Sequence, residues 1–173
     1  MSTAQDIQES ASQFSRVAEQ FCSTVDAAFE MNRKDFLVRI YSLLPKLINE
    51  AIQLPSISLS DDDEPSDAEK IFTRMNEQEW GELYQSLKKH LGEWDLYWQV
   101  FDPTTDREAD AGSLADDLAD TYRDLKEGLL QQQCGARVEE IIWDWRLHFY
   151  SHWGKHAMDA LLTCHFRLQG VLE

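Results

Sequence analysis

The chain has 173 residues, the length of one domain, and can hide roughly 68–70% of its unfolded surface without a metal or a disulfide. Hydrophobic residues make up 43% and aromatics 11%, a globular composition, while 16 basic residues against 32 acidic ones leave a formal charge of −16. That balance excludes nucleic acid and anionic membrane as natural partners, since both need Lys/Arg to replace counterions, and leaves a basic protein partner or cations open.

Cys22, Cys134 and Cys164 are odd in number and contain no CxxC, so neither a disulfide framework nor a zinc knuckle is indicated. Cys22 and Cys164 fall at apolar helical positions and are expected as buried thiols. MSTAQDIQES carries no cationic region followed by an apolar segment, and no run approaches eighteen apolar residues. A cytoplasmic protein is expected.

In residues 1–30, Ile7, Ala11, Phe14, Ala18, Phe21, Val25 and Ala28 recur at steps of four and three, predicting an N-terminal amphipathic helix. Such a seam suits a coiled coil between chains or a bundle helix packing inward, so both a homodimer and a monomer are open. Its mixture of aromatics and alanines favours the bundle. Asn32 or Asp35 can cap a second helix carrying Phe36, Ile40, Leu43, Leu44, Leu47, Ile48 and Ile52. Pro45 falls inside it and predicts a kink or short break near Leu44. Residues 55–70, PSISLSDDDEPSDAEK, read as a flexible acidic linker.

The next helix has an explicit start. Asn76 caps, Glu79 answers three residues later, and Met75 can staple against Trp80. Trp80, Leu83, Tyr84, Leu87 and Leu91 form its inner face, and Gly92 supplies a left-handed stop. EWDLYWQVFDP reads as a short helix or turn that adds the aromatics Trp94, Tyr97, Trp98 and Phe101. TTDREADAG reads as a second acidic loop. Ser113 opens a helix over 113–131, with Asp116 as a short-armed capping partner and Leu114, Leu118, Tyr122, Leu125 and Leu129 toward the core. Gly128 weakens its last turn. The final helix spans 136–169, apolar around most of its circumference, and is expected as the central or closing helix. No repeat and no strand alternation is visible. The whole is an all-α, single-domain bundle of about five helices.

Two constellations can carry chemistry. Asp116, Asp117, Asp120 and Asp124 are spaced so that carboxylates share one helix side and can hold a divalent cation. All four lie opposite the leucines, so a solvated face is the plainer expectation, with Asp117 and Asp124 nearest the core margin. His148, His152 and His156 form a HxxxHxxxH row, as in helical zinc sites, with His148 toward the edge beside Asp144 and Asp159 near the same edge. The plainer expectation is that each imidazole bonds a carboxylate or carbonyl and fixes the helix. No HExxH, HD dyad, GxSxG, P-loop, GxGxxG or reactive Cys–His pattern is present. Gly154, in a helix middle, suggests close approach of another helix or a ligand.

FLVRIYSLLPKL, YWQVFDP, SLADDLADTYRDLKEGL and HFYSHWGKHA together resemble a bacterial family known only as domain of unknown function 5063, over about residues 35–168. The resemblance implies a bacterial, all-helical, cytosolic protein and brings no activity with it. The sequence is read first as a non-enzymatic protein-interaction module, without a cofactor, that meets a basic partner through its acidic surface. The rival is a metal-binding bundle, possibly a metal-dependent hydrolase, in which Asp117, Asp120 and Asp124 meet His148, His152 and His156 and a divalent metal is the cofactor.

Overall fold

The computed structural model describes residues 3–59 and 74–170. All but residues 55–59 of the expected acidic linker lie outside the described residues. The bundle consists of α1 (Ala4–Asp26), α2 (Arg33–Gln53), α3 (Glu77–Leu91), α4 (Leu114–Gln133), α5 (Val138–His148) and α6 (Gly154–Gln169). No helix among the described residues is long and apolar enough to cross a membrane.

The N-terminal seam is used inside the chain: Ala11, Phe14, Ala18, Phe21, Val25 and Ala28 are buried where α1 packs on α2, α4 and α5. Phe14 sits 4.7 Å from the Trp145 ring and 6.1 Å from Trp153, which ties α1 to the last helices. Thr3 and Asp6 close a capping box at its start. The break expected near Leu44 does not occur. α2 runs through Pro45, which is exposed, so water can satisfy the carbonyl left without a donor.

Asn76 and Glu79 make the expected reciprocal cap of α3, and Gly92 ends it at φ 57°. The fold is all-α as expected, but beyond α3 the structure departs from the short helix or turn expected for EWDLYWQVFDP. A single 3₁₀ turn, Gly92–Trp94, leads into a small antiparallel ribbon, β1 (Leu96–Gln99) and β2 (Asp110–Ser113), with Tyr97 opposite Gly112. Strands of four residues are too short for alternation to stand out from the sequence.

Asp95, just before β1, is buried and holds the start of α4. Its Oδ1 accepts from Ser113 Oγ and from the Ala115 amide, each at 2.8 Å, and its carbonyl accepts from the Leu114 amide. Thirteen of the twenty residues of α4 are buried, so α4 rather than the final helix is the enclosed centre. It touches α1, α3, α5 and α6. Gly128 makes room for Trp145 of α5: a Cβ there would collide with the Trp145 indole.

The final helix is not a uniform α-helix. Phe149–Trp153 forms a π-turn between α5 and α6, closed by the Gly154 amide donating to the Phe149 carbonyl. A Cβ at Gly154 would lie 2.1 Å from that carbonyl, so the glycine accommodates its own helix's wide turn rather than a neighbouring helix or a ligand. Along its outer side Tyr150, Met158, Leu162 and Phe166 remain exposed, which makes it the closing wall of the bundle.

Candidate metal centre between α4 and α6

The aspartate row was expected on the solvated side of its helix. Instead Asp117, Asp120 and Asp124 are buried, because α6 and the β-ribbon lie along that side. Placing three carboxylates there is costly unless each is met by donors or a cation.

Two imidazoles meet them. His152 Nδ1 lies 2.7 Å from Asp124 Oδ2, and His156 Nδ1 lies 2.9 Å from Asp117 Oδ1. An ionised carboxylate only accepts, so each Nδ1 carries the proton and donates it. In the neutral form of each ring this leaves Nε2 with its lone pair. His156 Nε2 faces Asp120 Oδ2 at 3.6 Å, and the two rings stand 5.1 Å apart edge to face. The other oxygen of Asp120 is held by Arg123 Nη2 at 2.6 Å. Arg123 also lies 3.8 Å from Asp124 Oδ1 and over the Trp80 ring, so α3 steadies the guanidinium.

Asp117 is the deepest member, at 2% exposure. Burial pushes its carboxyl up to about 6, even though bonds from His156 and Tyr97 oppose the shift. Tyr97 donates to Asp117 Oδ2 at 2.6 Å, and burial together with the Asp117 charge holds its phenol proton firmly. Its ring needs the space over Gly112, where a Cβ would come within 2.4 Å. Asp116 is also shifted up, by burial and by the charge of Asp120. For His156, burial works downward, but the bond and charge of Asp117, with Asp120 and Asp116 nearby, carry it above its ordinary value.

One ligand atom from each of Asp120, His152 and His156 lies within 4.8 Å of the others, and the same holds for Asp116, Asp117 and His156. His148 is not part of this cluster. It pairs with Asp144 at 3.7 Å, and Gln131 also donates to that carboxylate, at 3.4 Å. Burial raises Asp144 despite His148. Asp159 turns away to Lys155. Sequence reasoning missed Tyr97, read as one aromatic of a cluster, and Arg123. Tyr97 reaches the site through tertiary packing, which no local pattern announces, whereas Arg123 stands three residues after Asp120 on α4, a spacing the sequence does display.

Comparisons with known proteins bear on the fold. The family model described as Domain of unknown function (DUF5063) matches residues 5–168. A crystal structure of protein BF1032 from Bacteroides fragilis is similar over 88% of each chain, with a TM-score of 0.72 at 24% identity, a likeness of fold. No curated protein matches.

Proposed function

Taking as premise that the chain belongs to the DUF5063 family, we propose that it binds a first-row divalent transition metal between α4 and α6, through Asp120 and the Nε2 atoms of His152 and His156. The observation that carries this reading is the pair of Asp–His bonds. Asp124 and Asp117 take up Nδ1 of the two rings, the arrangement by which metal-bound histidines are oriented and made more basic. With bonds of about 2.1 Å, neighbouring ligand atoms stand roughly 3–3.5 Å apart. The 3.6 Å between His156 Nε2 and Asp120 Oδ2 needs little closure to reach that spacing.

Two imidazoles with one carboxylate favour zinc, iron(II) or manganese(II) over magnesium or calcium, which prefer oxygen donors throughout. Burial pushes the carboxyls of Asp117 and Asp116 up, with the charge of Asp120 adding to the shift of Asp116, and a cation at this position would offset both effects. The formal charge of −16 raises the local cation concentration further.

The test is metal content by plasma mass spectrometry on untagged protein purified without chelator, beside Asp120→Asn and His156→Ala. Near-stoichiometric metal that both variants lose supports the proposal. Trace metal that the variants leave unchanged overturns it and leaves the two Asp–His pairs as packing. A role in protein–protein contact is favoured by a separate observation, the exposed apolar groove on the far side of α6.

A further inference from the structure

Beside the Asp–His cluster, but facing outward, an open groove of about 950 Å³ runs between β1 and α6. One wall is the stripe Met158, Leu162 and Phe166, spaced by four along α6. The other is Trp98 with Phe101 just beyond β1. Trp98 is 72% exposed, Phe101 64%, Phe166 63% and Leu162 58%. Single exposed apolar side chains need no explanation, but aromatics and methionine gathered along one groove mark a surface that is covered in use.

We propose that this groove docks a basic amphipathic helix of a partner protein. The shape and the charge agree on that occupant. A stripe at spacing i, i+4, i+8 offers the ridge against which a second helix lays its own apolar row. At one end the groove is lined by Pro103 of the loop joining β1 to β2. That loop and the start of β2 carry Asp102, Asp106, Glu108 and Asp110 against the single cation Arg107, and all but Asp102 are exposed. Bonds from Thr104 hold Asp102 below the usual carboxylate range, so it stays ionised.

The groove's own cations are engaged: Lys155 donates to Asp159 and to Gln99 Oε1, and Arg167 donates to the Leu96 carbonyl. A second copy of the chain, itself at −16, is repelled from this surface. A small ligand would cover only part of the rim aromatics, which are more than half exposed.

The experiment is fluorescence anisotropy of the full chain against a labelled Leu/Lys peptide of roughly four helical turns, with Leu at i, i+3, i+4 and i+7. A second peptide has the same composition with that register scrambled. The proposal expects saturable binding of the amphipathic peptide alone, weakening steeply with salt. Affinity should fall about tenfold or more in Phe166→Asp and in Leu162→Asp. Both positions are exposed, and circular dichroism of each variant is the control for its fold. Equal binding of the scrambled peptide, or wild-type affinity in both variants, overturns the proposal. So does light scattering that shows a dimer dispersed by Phe166→Asp, since the occupant is then a second copy.

Discussion

Asp124 and Asp117 bond the same ring nitrogen of His152 and His156, and neither is itself needed as a ligand at Asp120. Replacing either with Asn keeps the shape but weakens the hold on the ring and the basicity of Nε2. Metal affinity in Asp124→Asn and in Asp117→Asn is expected to drop by about 10–100-fold, measured by competition with a chelating dye. The pH dependence of the metal-free protein is set at the same residues. Asp117 has its folded value raised, to about 6, so its contribution is present below the unfolded value near 3.8 and is lost as pH rises through 6. His156 is raised as well, so its contribution is complete below about 6.5 and is lost above its folded value. Both act in the same direction. The urea midpoint of the metal-free protein therefore falls from pH 5 to pH 8 more steeply than that of Asp117→Asn; equal slopes would show that the pair does not carry this dependence. At Gly128, a methyl group meets the rigid indole of Trp145. Gly128→Ala is expected to destabilise by about 1–3 kcal/mol, read from the denaturant midpoint at unchanged slope.

Between elements, the π-turn Phe149–Trp153 decides how the histidines arrive at α4. It inserts a wide turn between His148, which stays with Asp144, and His156, which reaches Asp117. Helix propensity alone predicts that Gly154→Ala stabilises by about 0.5–1 kcal/mol. The carbonyl 2.1 Å from the added Cβ predicts the opposite: lower stability and a displaced His152–Asp124 pair. A higher thermal midpoint in Gly154→Ala would contradict this. What the sequence makes legible divides along the same line. The caps at Asn76–Glu79 and Gly92 and the α1 seam are local patterns, and each is present in the structure. The aspartate and histidine rows are local patterns too, but His148 stays apart with Asp144. The ribbon was missed because its strands span four residues each. The aspartates were placed in solvent because helical phase describes one helix, whereas their burial comes from α6 and the ribbon beside it. Gly128 reads as a weak point for the same reason, whereas Gly154, expected to admit another helix or a ligand, instead accommodates the π-turn of its own helix.

For the molecule as a whole, a formal charge of −16 is spread over a bundle that buries three carboxylates in one seam. A cation in that seam offsets both local desolvation and long-range repulsion. Because the unfolded chain cannot assemble the three ligands, metal at about one hundred times its Kd should raise stability by about 2.7 kcal/mol, seen as a concentration-dependent shift of the thermal midpoint. The outward groove and the inward cluster lie on neighbouring sides of α6, with Tyr97 reaching from one to the other. Groove variants such as Phe166→Asp should leave metal binding unchanged.

The most direct measurement is anomalous diffraction from a crystal equilibrated with zinc or manganese. The account predicts a peak about 2.0–2.2 Å from Asp120 Oδ2 and from Nε2 of both His152 and His156. A fully soaked crystal with no peak there, or with its peak elsewhere, would contradict it.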